Sequence, residues 1–427
     1  MLNSRVFLCG ILPFLLLTTR AAHAQQDPQA FYQATMQARD TGDFVRYRDG
    51  LRQMLGDNGT QPFLLYKLAG AYALLGDTAA ARTTLLKLVQ QGVSYPLAQD
   101  ADFASLHASP AYPALIQQFA GNRAVVGNST VAFTVPQPDL IPEGLAYDPR
   151  RGDFYLSSIY RHKVVRIDKS GQAHDFTTDA QDGLGGTLGM KVDSRRKRLW
   201  VCSLAGPEAA PAEQGRTALY QYKLRNGRLV RRYEPEKNRN GHLFNDLAIG
   251  PKGEVYVTDS RAGTVYRLKK RGKVLEPWLP AETLVYPNGI SLSADNKRVY
   301  VADFRGITAI DVATGAIKAL WTPEGLSTGG VDGLYTYGNS LIAIQNQNPE
   351  RVVQFLLSPN GDTVQTQQVL EANRPEYRIP TTGTLYGNEF WYIANSQLRA
   401  IDERGKLRRS TELLNPTILR LTLPAKP

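Results

Sequence analysis

The chain has 427 residues, of which 42% are hydrophobic and 21% charged, and a formal net charge of +11. That mixture excludes a disordered or collagen-like chain and leaves room for two hydrophobic cores. Its Lys and Arg are dispersed without a basic stripe, which speaks for a solvated surface and against a nucleic-acid partner, while an acidic small molecule is still admissible.

Residues 1–24 carry Arg5, an apolar run over 6–17, and Ala22-His23-Ala24 before Gln25. This is the pattern of a cleavable signal peptide, so the mature chain is expected to start at Gln25 and to be periplasmic or secreted. Loss of Arg5 and Arg20 lowers the formal charge to +9. The run is too short to cross a hydrocarbon layer of roughly 30 Å, and no later segment comes close, so no membrane span is expected. Cys9 falls inside the leader, which leaves Cys202 alone and allows no intrachain disulfide.

Residues 25–120 have a helical pattern with a repeat of their own. Gly42-Asp43 and Gly76-Asp77 stand 34 residues apart, each between two apolar-periodic segments, which matches the tetratricopeptide period. Leu65, Leu68 and Ala69 share one helical face, Gly76 supplies a turn, and residues 102–119 are expected to form a shorter third pair. Two or three such repeats bury little core alone. The expectation is a small all-α, tetratricopeptide-like domain packed on the main body, which leaves a protein partner open.

Residues 121–138 read as a linker that contains strand character over 129–135, and the end of the chain has another strand over 417–423. Either could close the domain that fills residues 139–427.

That domain is built on a repeated hairpin, clearest in YPNGISLSADNKRVYVADF over 286–304: a polar lead-in residue, a strand at 290–292, turn chemistry at Ala294-Asp295-Asn296-Lys297, and a β-branched and aromatic strand at 299–302. Equivalent lead-in residues are Glu143, Leu188, Asn245, Asn288, Asp332 and Thr382. A spacing of roughly 40–50 residues fits four-stranded blades, so the domain is mainly β and is expected to be a six-bladed propeller.

If each lead-in residue opens the innermost strand of its blade, all six converge on the central channel. Asn-Gly or Asp-Gly before a strand is commonly a turn. Two carboxylates and two amides at one structural position nevertheless make an oxygen-rich set, Glu143, Asn245, Asn288 and Asp332. Such a set suits a divalent metal of the Ca²⁺ kind better than Zn²⁺. Loops joining second to third strands return to the same face and carry Tyr160, Arg161, His162 and Arg305, with a Pro- and Ala-rich insertion over 204–217 as a rim. Tyr160, Arg161 and Arg305 are candidate substrate contacts. Asp332, His162 and His242 are candidate bases. No Gly-x-Ser-x-Gly elbow stands at a strand-to-helix turn, which argues against a serine hydrolase.

The motifs IPEGLAYD, HLFNDLAIGPKGEVYVTDS, YPNGISLSADNKRVYVAD and GGVDGLYTYGNSLIAI resemble the family of gluconolactonase, senescence marker protein and luciferin-regenerating enzyme over about residues 140–400. The resemblance implies a six-bladed propeller in which Glu143, Asn288 and Asp332 hold a divalent metal, and Asn245 contacts substrate or completes the metal shell. Gly333 departs from the paraoxonase-like arrangement, where an amide stands beside the late Asp. The loops around Arg161 and over 205–216, and the helical region, lie outside the family pattern.

Together these readings point to a calcium-dependent hydrolase acting on a small-molecule lactone or related ester. The alternative is a non-catalytic periplasmic propeller that binds a peptide, glycan or small molecule around a structural metal.

Overall fold

Each Gly-Asp pair of the helical region both ends one helix and starts the next. The computed structural model describes residues 28–56, 59–237, 241–408 and 412–427, so the expected leader lies outside the described residues. Five α-helices come first: α1 (Pro28–Asp40), α2 (Phe44–Leu55), α3 (Pro62–Leu74), α4 (Thr78–Gln90) and α5 (Tyr112–Gly121). Gly42 and Gly76 hold φ at 79° and 78°, the left-handed conformation that a side chain would resist. The carboxylates of Asp43 and Asp77 then accept the N–H groups of Arg46 and Ala80, each at 3.0 Å, and so cap α2 and α4.

Leu65, Leu68 and Ala69 are buried as expected, but so are Leu64, Ala71 and Ala73 on the other sides of α3. The helix is central rather than amphipathic, because α2, α4 and a 3₁₀ segment at Ala101–Leu106 pack around it. That 3₁₀ segment replaces the first helix of the expected third pair. Pro110 separates it from α5, which carries Pro113 in its first turn.

Six four-stranded antiparallel sheets follow. Their inner strands are Leu145–Asp148, Gly186–Asp193, Phe244–Ile249, Ile290–Leu292, Val331–Tyr337 and Gly383–Tyr386. In the fourth blade Ser293 Oγ and Lys297 N both donate to Asp295 Oδ1, at 2.6 and 3.0 Å, and Asn296 takes φ 60°, so the expected turn folds on its own side chains. Val299, Tyr300, Val301 and Ala302 are then all buried, their two faces filling the spaces towards the neighbouring blades.

The sixth sheet runs Gly383–Tyr386, Glu389–Ile393, Thr417–Thr422 and then Thr130–Thr134 at the outer edge. The two candidate closing strands are thus partners: Thr130–Thr134 pairs antiparallel with Thr417–Thr422. The segment before Thr130 is pinned by buried Glu371, whose Oε1 accepts the N–H groups of Asn128 and Ser129 at 2.9 Å and whose Oε2 accepts the Ser129 hydroxyl at 2.7 Å.

The helical unit lies on the face reached by the loops between second and third strands. Buried Arg351 donates from Nε to Gln345 Oε1 at 2.7 Å and from Nη1 to the Gln91 carbonyl at 2.8 Å. Lys87 pairs with Glu324 at 2.6 Å, and Phe304 packs into the cluster of Tyr47, Leu51, Leu64 and Leu68. Among the described residues no helix is long and apolar enough to cross a membrane.

Candidate functional site

The lead-in residues reach the channel through breaks in the strand ladder. Pairing of the inner and second strands shifts register between Thr187 and Met190, between Phe244 and Leu247, and between Val331 and Leu334. Leu188, Asn245 and Asp332 sit in these irregularities, which re-aim side chains at the rim of a sheet. The glycines that follow have a packing reason rather than a turn reason. A Cβ on Gly144 would stand 2.2 Å from the Leu188 carbonyl oxygen, and one on Gly289 would stand 2.3 Å from that of Asp332. Inner strands crowd so closely around the axis that only a bare backbone fits.

Hydroxyls at the ends of the second strands fix this inner ring. Ser157 Oγ accepts the N–H groups of Glu143 and Gly144, at 3.3 and 2.6 Å. Thr258 Oγ1 donates to the Asn288 carbonyl at 2.8 Å, and Ser260 Oγ to that of Pro287 at 2.6 Å. Thr382, the sixth lead-in residue, spends its hydroxyl on the Glu143 carbonyl at 2.6 Å and so ties the last blade to the first. The recurring FYLSS and VYVTDS endings were the available signal for Ser157, Thr258 and Ser260.

Glu143 and Asp332 are buried, Asn245 and Asn288 half-buried. The Asn245 amide nitrogen donates to Ser260 Oγ at 3.2 Å, and Asp332 Oδ2 accepts the Asn346 amide at 2.5 Å. What is left over is consistent across the four: Glu143 Oε2, Asn245 Oδ1, Asn288 Oδ1 and Asp332 Oδ1 are buried oxygens without a hydrogen-bond partner among the described residues. Buried polar atoms are normally satisfied, so unpaired oxygens at the equivalent position of four blades, with Asp246 Oδ2 also unpaired, call for an external partner.

The charge balance gives the same result. Burial pushes the Glu143 carboxyl well above its ordinary range, with the charges of Asp332 and Asp246 adding to the rise and Lys191 opposing it. Burial likewise pushes Asp332 up to about 7, against a hydrogen bond from Asn288. Asp246 lies in the same surroundings, and Lys191 Nζ is already 2.9 Å from its Oδ1. Three carboxylates therefore share one lysine, so that full ionisation would leave two negative charges uncompensated in a buried site. A divalent cation matches that deficit, and an all-oxygen donor set matches a hard cation. Among the described residues no three His, Cys, Asp or Glu side chains gather to hold a metal, and half of this set is amide.

The remaining expected site residues are spread around the mouth. His162 holds φ 51° and places Nε2 3.1 Å from Glu208 Oε1 on the insertion. Arg161 is bonded to Asp139 and lies 5.8 Å above the Tyr160 ring. Arg305 donates to Asp303 Oδ2 and to the Thr283 carbonyl, at 2.9 and 3.0 Å. Buried His242 has Nδ1 2.6 Å from Asp259 Oδ2 and Nε2 2.6 Å from the Glu236 carbonyl oxygen, which commits both ring nitrogens. Sequence reasoning missed Asn346, Lys191 and Asp246. Asn346 lies in a loop expected at the mouth, but nothing local marks its reach to Asp332.

Residues 141–335 match the model of the SMP-30/gluconolactonase/LRE-like region. The match spans the first four blades and the start of the fifth. Similar solved structures include a gluconolactonase from Xanthomonas campestris, at 20% identity over 71% of this chain and 93% of that one, with a TM-score of 0.48. A calcium-binding protein, regucalcin, from Agrobacterium tumefaciens is 15% identical over 71% and 98%, with a TM-score of 0.48. A luciferin-regenerating enzyme is 16% identical over 70% and 97%, with a TM-score of 0.49. No curated protein matches the chain. The matched residues include all four of these ligand candidates, from Glu143 to Asp332.

Proposed function

We propose that the protein is a divalent-metal-dependent hydrolase of lactones or related esters, that Ca²⁺ is the metal, and that it works in the periplasm or outside the cell after loss of its leader. The observation that carries this reading is the group of four buried, unsatisfied oxygens on Glu143, Asn245, Asn288 and Asp332 in a channel with uncompensated negative charge. These four residues would hold the ion. When bound, it supplies Lewis acidity to the ester carbonyl and offsets the charge that develops on its oxygen.

The chain's own residues provide the rest. Asn346 holds Asp332 Oδ2 and thereby points Oδ1 into the channel, where it takes a proton from the water that attacks the acyl carbon. The C–O bond of the ring then breaks, and the proton passes to the departing alkoxide. His242, bonded at both nitrogens, holds the third blade together, and His162 braces the insertion, so Asp332 is the better base. Arg161, Tyr160 and Arg305 are rim contacts for substrate.

The test uses dialysed protein, calorimetric Ca²⁺ titration and turnover on five- and six-membered lactones. Asn288→Ala removes one neutral oxygen, while the backbone bonds of Asn288 N to Ala302 O and of Ala302 N to Gly289 O remain. Ca²⁺ affinity and turnover should fall together with the fold intact. Wild-type affinity in Asn288→Ala would sink the metal assignment, and metal binding without turnover on any lactone would favour the non-catalytic binding propeller.

A further inference from the structure

Between the helical unit and the propeller lies a cavity of about 430 Å³, within the usual range for small-molecule sites. Its walls come from both parts: Phe31 and Tyr32 on α1, Met54 on α2 and Phe63 on α3 face Tyr286 and Phe304 of the fourth blade. The propeller side is the lead-in hairpin itself, since Phe304 N donates to the Val285 carbonyl at 2.8 Å and Asn288 N to that of Ala302 at 2.8 Å. Tyr286 is two residues from Asn288, so their Cα atoms are at most about 7 Å apart. One wall of the cavity therefore belongs to the same hairpin that carries Asn288.

Its chemistry is apolar and effectively neutral. Arg305 edges it, but that guanidinium is committed to Asp303 and to the Thr283 carbonyl. Tyr286 is 55% exposed and holds φ 49°, a conformation that aromatic residues rarely take. A large exposed ring held in an unfavourable conformation next to a polar site is a wall waiting for an apolar ligand. A polyhydroxylated sugar ring would find few donors or acceptors there, whereas an alkyl or aryl group would be taken out of water.

We propose that the helical unit forms one wall of the substrate site, and that the lactone hydrolysed at Asn288 and Asp332 carries an apolar alkyl or aryl substituent that fills this cavity. The proposal rests on the lactonase reading and names its substrate class. The helical unit then has a role that the propeller alone lacks. It supplies Phe31, Tyr32, Met54 and Phe63 and is held in place by the Arg351–Gln91 bond and the Lys87–Glu324 pair.

The experiment uses the full mature chain loaded with Ca²⁺ and a series from γ-butyrolactone through γ-hexalactone and γ-octalactone to γ-decalactone. kcat/KM should rise roughly threefold to fourfold for each methylene that enters the cavity, until it is full. Tyr286→Asn suits the left-handed backbone and removes the ring, so the decalactone-to-butyrolactone ratio of kcat/KM should fall at least about tenfold, more than the worth of one methylene. Phe31→Ala, on the opposite wall, should lower the same ratio.

A second readout needs no turnover. N-phenyl-1-naphthylamine should fluoresce in metal-free wild-type protein, be displaced by γ-decalactone and not by γ-butyrolactone, and lose affinity in both variants. Hydrolysis without chain-length dependence, together with no naphthylamine binding, overturns the cavity proposal and leaves the lactonase reading standing. Naphthylamine binding that decalactone displaces, with no lactone hydrolysed, overturns the lactonase reading and keeps the cavity as an apolar binding site.

Discussion

Buried carboxylates occur in two settings in this protein, and the settings differ in what completes them. Along the blades each has partners from the chain. Asp259 takes the N–H groups of Leu243 and Ala262 together with the His242 ring, and Glu371 takes two N–H groups and a hydroxyl. On the channel axis Glu143 and Asp332 each keep an oxygen without a partner, and the nearby lysine is bonded to Asp246. A carboxylate satisfied from within contributes to stability, whereas one left incomplete costs stability until something binds. The two classes should therefore respond with opposite signs to loss of their charge.

The largest expected effect compares Glu371→Ala with Glu143→Gln. Removing Glu371 leaves the N–H groups of Asn128 and Ser129 and the Ser129 hydroxyl without their acceptor, so stability should drop in urea denaturation by about 1–3 kcal/mol for each buried group left unpaired, with Ca²⁺ affinity unchanged. Glu143→Gln removes one of two uncompensated charges, so the metal-free protein should be as stable as wild type or more so. Its Ca²⁺ affinity should fall by more than the roughly 10–100-fold typical of losing an outer partner. A metal-free Glu143→Gln protein destabilised as much as Glu371→Ala would break the distinction.

Much of this architecture was legible in the sequence where the signal is local. The Gly42-Asp43 and Gly76-Asp77 corners, the Asp295 turn and the six lead-in positions follow from backbone conformation and short-range hydrogen bonding, which neighbouring residues determine. The features that escaped depend on residues far apart in the chain. Thr130–Thr134 and Thr417–Thr422 looked like rivals because nothing local says that a strand near the start pairs with one near the end. Asn288-Gly289 could be taken for a turn, because the carbonyl that crowds Gly289 belongs to the next blade. The position of the helices over the channel face was equally hidden, since Arg351 meets Gln91 across 260 residues. Of the site, the oxygen set could be read from its repeat, but the lysine that neutralises only Asp246, and Asn346 behind Asp332, could not.

A smaller effect sharpens the same comparison through pH. In the unfolded chain Asp332 titrates near 3.9, and in the folded protein burial pushes it up to about 7. Between those values the folded protein holds a proton that the unfolded chain has released. The stability of the metal-free protein should therefore fall as pH rises from about 4 to about 7, and level off above that. Glu143, shifted in the same direction, adds to the slope. Thermal melts of dialysed protein across this range should show the decline, and Asp332→Asn should flatten it. A metal-free stability that rises with pH in this window, with Asp332→Asn making no difference, would mean that the channel carboxylates are compensated after all.

The smallest effect isolates the residue that stands between the two settings. Asn346 does for Asp332 what the N–H groups do for Glu371, but only at one oxygen: its amide holds Oδ2 at 2.5 Å and leaves Oδ1 for the channel. Asn346→Ala should keep all four proposed ligands while freeing the Asp332 carboxylate to rotate, so Ca²⁺ affinity should fall by about tenfold, the low end for an outer-shell partner. Asn346→Asp keeps the size but sets a second carboxylate against Asp332, so it should weaken the metal-free fold as pH rises and steepen the decline described above. Calorimetric Ca²⁺ titration beside thermal melts distinguishes a positioning role from simple packing. Loss of affinity in Asn346→Ala without loss of metal-free stability is the positioning result. If stability falls and affinity does not, Asn346 belongs with the internal partners of the blades, and the orientation of Asp332 must come from Asn288 alone.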